Sequence, residues 1–351
     1  MWITSSLNAA KTPTNIALGN FDGVHLGHQQ VMAQVLADRS PFAQGFELFT
    51  AASIAALHSG TSTAGYSHLS ARAYPDVAEY LPESTGMPPT VQATVVTFSP
   101  HPQEYFSGMP KLLLTPIAEK TWQLAQMGIQ QLVMLPFNLA LAELSPEEFV
   151  AQILIKGLKA EQISVGSDFR FGKDRRGNAE VLETIAARYG VPVMQVPLKH
   201  EKGDRISSSR IRQALQSGDL EVATRLLGRP YTLTGRVVQG QQLGRTIGFP
   251  TANLRLPADK YLPRTGVYSV RVYGVGTEPL QGVMNIGNRP TVDGQALSIE
   301  IHLLNWSGDL YGQVLTVSLE GFVRAEQKFD SLERLKAQIA ADCSVAISTL
   351  S

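Results

Sequence analysis

The stretch LGNFDGVHLGHQQVM, residues 18–32, joins the end of an apolar strand to the start of a helix through a glycine-rich loop. Glycines at positions 19, 23 and 27 permit tight turns and a close approach of a ligand to the backbone. His25 and His28 are three residues apart and therefore share a face of the first helical turn. Imidazoles beside the positive end of a helix can donate hydrogen bonds to phosphate oxygens. The segment predicts a phosphate-binding loop; the alternative is a glycine-rich turn with two surface histidines.

Around this loop, residues 15–228 alternate short apolar runs with helical patterns, which is typical of a parallel sheet covered by helices. The predicted strands are NIALGNF (15–21), ATVVTF (93–98), QQLVMLPF (130–137), EQISVG (161–166) and VPVMQVP (191–197). Between them, Ser145-Pro146-Glu147-Glu148 has the signature of a helix start, and Gly157 can end that helix. We therefore expect a doubly wound α/β domain, whose ligand binds at the carboxyl ends of its strands. The strand order stays open.

The sequence pattern changes after LLGRPY, residues 226–231, where closely spaced predicted strands are separated by Gly, Pro and Asn. This pattern predicts a β-barrel. A terminal helix from Ser331 to about Asp342 should pack on the barrel through Leu332, Leu335 and Ile339. We place the boundary at Gly228 to Pro230, which predicts domains 1–228 and 229–351.

Residues 40–93 fit neither domain, because Ser, Thr, Ala, Gly and Pro dominate and only five residues carry a charge. A connection of this length inside an α/β domain is usually a lid or an excursion from the core. We therefore interpret the interval as an insertion into the first domain.

Charge and cysteine usage narrow the class of protein. The 351 residues contain 30 Lys and Arg against 30 Asp and Glu, so the chain lacks the net basic charge of a nucleic-acid binder. A single cysteine, Cys343, excludes an internal disulfide framework. The amino-terminal sequence has no signal-peptide pattern, and no apolar run reaches 18 residues. We expect a cytoplasmic protein that binds neither nucleic acid nor membrane.

A second phosphate-binding candidate is ISSSRIRQAL, residues 206–215, which starts a helix with three serines and two arginines. Hydroxyls, backbone N–H groups and guanidinium groups at a helix start can clamp a phosphate. The alternative for the segment alone is an ordinary serine N-cap followed by solvated arginines.

Taken together, the motifs resemble a known family. The combination of HLGH with the later ISSSR helix resembles the nucleotidyltransferase superfamily, and GNFDGVHLGH, TFSPHP, LSPEEFV and VGSDFRFGKDRRGN resemble its flavin-nucleotide adenylyltransferase branch. GRVVQGQQLGRTIGFPTANL, GVMNIGNRPTV and EIHLLNWSGDLYGQ are similar to riboflavin kinase. The chain thus resembles the prokaryotic bifunctional riboflavin kinase/FAD synthetases. This implies a nucleotidyltransferase domain followed by a kinase barrel, and an enzyme that phosphorylates riboflavin with ATP and then adenylylates FMN to FAD and pyrophosphate.

For adenylyl transfer, the resemblance implies that His25, His28, Ser208 and Arg210 are catalytic. The nucleotide-binding residues implied for this reaction are Gly19, Asn20, Phe21, Asp22, Gly23, Ser209 and Arg212. Asp168 and Phe169 are implied at the flavin side, although Asp168 could equally cap the following turn.

For the kinase reaction, the segment LSIEIHLL, residues 297–304, alternates and places Glu300 and His302 on the polar face of a strand. The resemblance makes Glu300 the catalytic base; the alternative is a solvated strand glutamate. Thr251 and Asn253 are two residues apart and offer oxygens suited to Mg²⁺, which by resemblance they hold at the kinase site. The alternative is a plain turn before a strand. The glycines implied to approach the ATP phosphates are Gly240, Gly244 and Gly248.

Two other functions stay open from the sequence. One is a riboflavin kinase whose adenylyltransferase domain is impaired by the insertion. The other is a non-catalytic flavin-binding or flavin-sensing protein.

We predict that replacing residues 40–93 with a short polar linker preserves folding, because the interval lies outside both predicted cores. Soluble expression and cooperative unfolding of the shortened chain would check this. Loss of cooperative unfolding would show that the interval completes a core.

Overall fold

A computed structural model describes residues 1–36, 90–240, 243–291 and 294–351. Of the described residues, those up to Ile206 form one compact unit, and those from Ser207 onward form a second. Nearly all of the predicted insertion, 40–93, lies outside the described residues. Its end is an exception, because residues from Gln92 onward belong to a strand. The linker replacement should therefore stop before Gln92.

The first unit is built on a six-stranded parallel sheet, which confirms the predicted fold class. The strands are β1 (Trp2–Thr4), β2 (Thr14–Leu18), β3 (Gln92–Ser99), β4 (Gln131–Pro136), β5 (Ala160–Gly166) and β8 (Val193–Val196). Their spatial order is β1-β4-β3-β2-β5-β8. The edge strand β1 was not predicted, because three residues are too short to show an alternating pattern.

Short strand pairs follow the main strands of this unit. Strands β6 (Arg170–Phe171) and β7 (Gly177–Asn178) pair with each other, as do β9 (His200–Glu201) and β10 (Asp204–Arg205).

The helices of the first unit are α1 (Leu26–Ala33), α2 (Pro102–Ser107), α3 (Ile117–Gln126), α4 (Leu139–Ala142), α5 (Pro146–Glu148) and α6 (Ala179–Ala187). Helix α5 continues as a π-type turn over Phe149–Gly157, and short 3₁₀ turns occupy Leu7–Ala9 and Lys173–Arg175. The predicted start of α5 is confirmed: the Ser145 hydroxyl accepts from the Glu148 N–H (3.1 Å), and the Glu148 carboxylate accepts from the Ser145 N–H (2.8 Å).

Both faces of the sheet are buried, as a doubly wound fold requires. Ile16, Val96 and Val133 pack on one face against residues of the Phe149–Gly157 turn and of α6. Ala17 and Val95, which alternate with them along the strands, are also fully buried. Because both faces are buried, these strands appear in the sequence as continuous apolar runs without polar alternation.

The second unit contains a closed barrel of six antiparallel strands, as the closely spaced strand pattern predicts. The strands are β11 (Tyr231–Val238), β12 (Ala252–Arg255), β13 (Gly266–Tyr273), β14 (Leu280–Thr291), β15 (Gly294–Leu303) and β16 (Val314–Arg324). Their order around the barrel is β11-β12-β15-β14-β13-β16. Closure pairs every strand on both sides, and alternate residues such as Leu315, Val317 and Leu319 fill the interior.

The helices of the second unit are α7 (Ser208–Ser217), α8 (Leu220–Leu227), α9 (Leu243–Thr246) and α10 (Leu332–Leu350). Helix α7 joins the barrel unit through backbone and side-chain contacts: the Arg264 N–H donates to the Leu215 carbonyl (3.0 Å), and the Tyr261 hydroxyl donates to the Arg212 carbonyl (3.3 Å). By packing, the chain therefore divides about twenty residues before the boundary expected from the sequence.

The carboxyl-terminal helix continues past its predicted end to Leu350, and its buried stripe extends the predicted face of Leu335 and Ile339, which are partly buried. Leu332 is 48% exposed, whereas Asp342, Ala346 and Leu350 are buried. Asp342 accepts hydrogen bonds from the guanidinium of Arg324 at 2.9 and 2.7 Å, and its own side chain is only 4% exposed. The ion pair between Asp342 and Arg324 of β16 therefore helps to orient the helix. An apolar periodicity in the sequence does not reveal this ion pair. Burial and the neighbouring Asp342 raise the pKa of the Cys343 thiol, which disfavours a reactive thiolate.

We predict that Asp342→Asn lowers the free energy of unfolding by about 3 kcal/mol, because it leaves the Arg324 guanidinium inside the structure without its counter-charge. Urea denaturation of the full chain measures the change. Glu333→Gln, at the exposed start of the same helix, is the control and should change stability little. An equal effect of the two substitutions would contradict the role of the ion pair.

Candidate active sites

The glycine-rich loop follows β2, which lies in the sheet between β3 and β5. The connection that leaves β2 leads to β3 on one side of β2, whereas the connection that leaves β4 leads to β5 on the other side. The loop after β2 therefore lies at a topological switch point. Within the loop, Phe21, Gly23 and Val24 have φ values of 49°, 89° and 44°. Such left-handed conformations are rare for Phe and Val, so the surrounding structure must hold them in place.

Hydrogen bonds from neighbouring elements hold this loop. The Asn20 carbonyl accepts from Lys120 Nζ (2.9 Å) and Thr97 Oγ1 (3.2 Å). The buried carboxylate of Asp22 accepts from the Thr115 N–H (3.2 Å), and Thr115 Oγ1 accepts from the Gly23 N–H (2.9 Å). Asp22, predicted as a nucleotide ligand, thus has a clear part in shaping the loop.

The two histidines of the loop stack face to face, with ring centroids 3.5 Å apart and planes 13° from parallel. His25 Nδ1 accepts from the His28 N–H at 3.2 Å and caps α1. In neutral His25 the ring proton is therefore on Nε2, which is a donor in this tautomer. Gly27 leaves space for this ring, because a Cβ there would lie 3.3 Å from His25 Nδ1. The pair can present imidazole N–H groups to a phosphate.

The predicted serine–arginine clamp lies at the start of α7 and belongs to the second unit. Ser207 is its N-cap and accepts from the Arg210 N–H at 3.3 Å. The Arg212 guanidinium lies over the Tyr261 ring, 5.4 Å from its centroid. The structure thus brings His25 and His28 together with the glycine loop, while Ser208, Ser209, Arg210 and Arg212 lie in the other unit.

The predicted flavin-side residues follow β5, at the same edge of the sheet as the glycine loop. Asp168 forms an exposed ion pair with Arg205, which sequence reasoning missed. Phe169 stacks on Phe171 with centroids 5.7 Å apart and packs against the core of the first unit. The role of Phe169 in binding the flavin stays a prediction.

Aromatic side chains cluster after β3 and β4, also at the carboxyl edge. Tyr105 and Phe106 of α2 each contact the Phe137 ring edge-on, with centroids 5.3 and 5.7 Å apart. Phe106 is nevertheless 71% exposed, which is unusual for a large aromatic residue. The sequence held one signal for this cluster, the TFSPHP segment that precedes α2.

In the barrel, strand register aligns three polar residues. Glu300 of β15 pairs with Asn253 of β12 on one side and with Asn285 of β14 on the other. Paired residues project to the same face of a sheet. Ile299 and Ile301, which flank Glu300, are buried in the barrel, so the row faces outward. Asn285 was not predicted, because register between distant strands cannot be read from one sequence.

The glycines predicted to approach phosphates also leave space for the predicted metal ligands. A Cβ on Gly240 would overlap the Asn253 amide, and one on Gly244 would overlap the Phe249 carbonyl and lie 3.3 Å from Thr251 Oγ1. Gly248 has φ +90°, a conformation that favours glycine. The neutral side-chain oxygens of Thr251 and Asn253 are of a kind that suits a hard divalent cation such as Mg²⁺.

Among the residues that the structure describes, no group of three or more His, Cys, Asp or Glu side chains could hold a metal ion. A search of the same residues finds no helix long and apolar enough to cross a membrane.

Comparison with known proteins matches both halves of the chain. A family model described as FAD synthetase matches residues 7–43 and 84–210, and one described as riboflavin kinase matches residues 227–350. The first model leaves residues 44–83 unmatched, within the predicted insertion.

Curated relatives extend over nearly the whole chain. Proteins named bifunctional riboflavin kinase/FMN adenylyltransferase from Escherichia coli K12 and Bacillus subtilis are 37% and 34% identical. The alignments cover 93% and 95% of this chain, and 90% and 91% of the relatives. A crystal structure described as a macrolide-efflux protein from Streptococcus pneumoniae has a TM-score of 0.74 and 28% identity, and covers 98% of this chain and 97% of that one.

The efflux description belongs to that protein, whose fold this chain shares. Because the curated relatives exceed one third identity over more than nine tenths of the sequence, the chain belongs to the family of bifunctional riboflavin kinase/FMN adenylyltransferases.

Proposed function

We propose that the chain phosphorylates riboflavin to FMN with ATP, and then transfers an adenylyl group from a second ATP to FMN, forming FAD and pyrophosphate. The observation that carries this proposal is that each half of the chain has a polar site of its own. One is the stacked histidine pair on a loop at the sheet edge, and the other is the row of Glu300 and two asparagines on the barrel. The alternatives of a single-activity kinase or a flavin sensor gain no support, because the side chains proposed for each of the two reactions are present.

The adenylyl transfer needs no general base. The attacking group is the FMN phosphate, which is largely ionised at neutral pH because a second phosphate pKa lies near 6. The protein must instead align that phosphate with the α-phosphorus of ATP and stabilise the departing pyrophosphate. His25 and His28 suit this task because their rings are preorganised as a stack beside the amino end of α1. Ser208 and Arg210 are assigned to the same reaction by resemblance.

The phosphorylation of riboflavin does need a base, because a ribityl hydroxyl is a poor nucleophile until its proton is accepted. Glu300 is the base in this proposal. Its strand position supports the assignment, because the residue faces outward from the barrel while its two neighbours fill the interior. The proton passes to the carboxylate as the hydroxyl oxygen attacks the γ-phosphorus of ATP, and the bond from that phosphorus to the β,γ-bridging oxygen breaks, releasing ADP.

Magnesium is the cofactor in this proposal, held by Thr251 and Asn253. When bound, Mg²⁺ neutralises charge that develops on the transferring phosphoryl group. Two features of the chain would position the ion. Gly240 and Gly244 leave space for the loop that carries Thr251. The pairing of Asn253 with Glu300 sets the proposed metal ligand Asn253 beside the proposed base.

The flavin of the adenylyl transfer is assigned to the edge formed by Asp168, Phe169 and the aromatic cluster of Tyr105, Phe106 and Phe137. Exposed aromatic rings offer a stacking surface for an isoalloxazine. We further propose that the functional boundary lies near residue 228 and that the protein is cytoplasmic, where its substrates riboflavin, FMN and ATP are available.

We predict a double dissociation between the two activities. Glu300→Gln keeps the shape of the side chain but removes its basicity, so FMN formation should fall by roughly 10² to 10⁴-fold. FAD formation from supplied FMN should survive. His25→Ala combined with His28→Ala should lower FAD formation by at least about 10²-fold, because each histidine is a donor to developing charge. Riboflavin would then stop at FMN.

Chromatography of the flavins after incubation with riboflavin, ATP and Mg²⁺ measures both products, and circular dichroism checks that each variant is folded. Loss of both activities in a folded variant would refute the assignment of separate sites. An unchanged kinase rate in Glu300→Gln would refute the base.

We also predict that the barrel acts alone. Residues 230–351 should phosphorylate riboflavin and make no FAD, because the kinase residues all follow residue 230. Residues 207–351 should do the same with higher stability, since they keep α8 and its buried Leu226 and Leu227. Thermal unfolding and flavin chromatography compare the two fragments. An insoluble 207–351 fragment beside an active full chain would contradict the independent folding of this unit.

A further inference from the structure

His302 lies two residues after Glu300 on the same face of β15 and contacts the loop that carries Thr251. Its Nδ1 atom is 2.8 Å from the Pro250 carbonyl oxygen. A carbonyl can only accept a hydrogen bond, so Nδ1 carries the proton and donates. The His302 ring also meets the Phe249 ring edge-on, with centroids 5.5 Å apart. One side chain therefore contacts the two residues that immediately precede Thr251.

These contacts connect the loop to the strand that carries the base. In the β12–β15 ladder, Asn253 pairs with Glu300 and Ala252 pairs with Ile301. The ladder fixes Asn253, but Thr251 lies just before the first paired residue, where strand hydrogen bonds no longer constrain it. The bond from His302 to Pro250 extends the attachment to the other side of Thr251. The residue before Pro250 is also anchored, since the Phe249 N–H donates to the Gly244 carbonyl at 2.8 Å.

We propose that His302 is a positioning residue for the kinase site: its Nδ1–H holds the Pro250 carbonyl and thereby sets Thr251 in one geometry relative to Glu300. The inference rests on the proposed metal-binding role of Thr251. His302 touches no reacting atom in this arrangement. It acts by reducing the number of loop conformations that must be ordered when Mg²⁺ and ATP bind.

Two substitutions in the full-length chain separate the hydrogen bond from the ring. His302→Asn keeps a side-chain N–H close to the position of Nδ1 and loses the ring. His302→Phe keeps a ring beside Phe249 and loses the donor. We expect His302→Phe to raise the Mg²⁺ concentration at half-maximal kinase rate, and the KM for ATP, by about threefold to tenfold, the range that one net hydrogen bond supplies. His302→Asn should stay near wild type, and FMN adenylylation should be unchanged in both.

Hydrogen–deuterium exchange supplies a readout that needs no activity. In protein without Mg²⁺ or nucleotide, the peptide that spans residues 247–254 should exchange faster in His302→Phe than in wild type, and His302→Asn should restore protection. If His302→Phe does not fold, His302→Gln replaces it, because its donor lies one bond farther from the backbone. Unchanged exchange and Mg²⁺ dependence in the variant without the donor would overturn the proposal. Equal losses in the Asn and Phe variants would also overturn it.

Thr251→Ala distinguishes failure of this inference from failure of the proposed function. If Thr251 is a metal ligand, its loss raises the Mg²⁺ requirement whether or not His302 positions it. An unchanged Mg²⁺ requirement in Thr251→Ala would refute the metal site, and the inference would fall with it. A raised requirement in Thr251→Ala beside a normal His302→Phe would refute only the positioning role.

Discussion

Hydrogen-bond register between neighbouring strands is the constraint on which both candidate sites depend. In the barrel, Glu300 stands between Asn253 and Asn285 because β15 pairs with β12 and β14 in one register. Side chains alternate along a strand, so a slip of one residue would turn Glu300 toward the apolar interior. Ile299 and Ile301 oppose that slip, because it would bring them to the surface. The burial of two isoleucines thus keeps Glu300 on the outer face of the barrel.

In the parallel sheet, strand register determines which loops lie next to one another. Parallel pairing of β2 with β3 and β5 sets the carboxyl ends of three strands side by side. The loop after β2 can then be held by residues that are distant in sequence, such as Thr97 at the end of β3. Phe21 and Val24 keep left-handed backbone conformations in this loop. Such conformations cost free energy, which the tertiary contacts must offset.

The two sites also differ in a way that follows from their nucleophiles. A phosphate arrives ionised, so a site built on hydrogen-bond donors is sufficient, and the stacked histidine pair is the proposed source of these donors. A hydroxyl arrives protonated, so its site requires an acceptor, and Glu300 is the acceptor in the proposed mechanism. The loop that carries Thr251 and the strand that carries Glu300 are separate in sequence. The bond from His302 to Pro250 connects them.

Some of this could be predicted from the sequence alone. Apolar runs, the Ser145 capping box and the alternation of LSIEIHLL are local patterns, and they determined the fold class, most strands and the outward face of Glu300. The long motifs identified the family. Other features depend on residues that meet only after folding. The order of the sheet, the partners of Asp168 and Glu300, and the packing of α7 with the barrel unit are decided by pairing across many residues. The terminal helix shows the limit most clearly: its leucine spacing predicts the buried face, but it does not reveal that Asp342 on this face pairs with Arg324. A local pattern records what a segment can bury, whereas the tertiary structure decides which partner it is buried against.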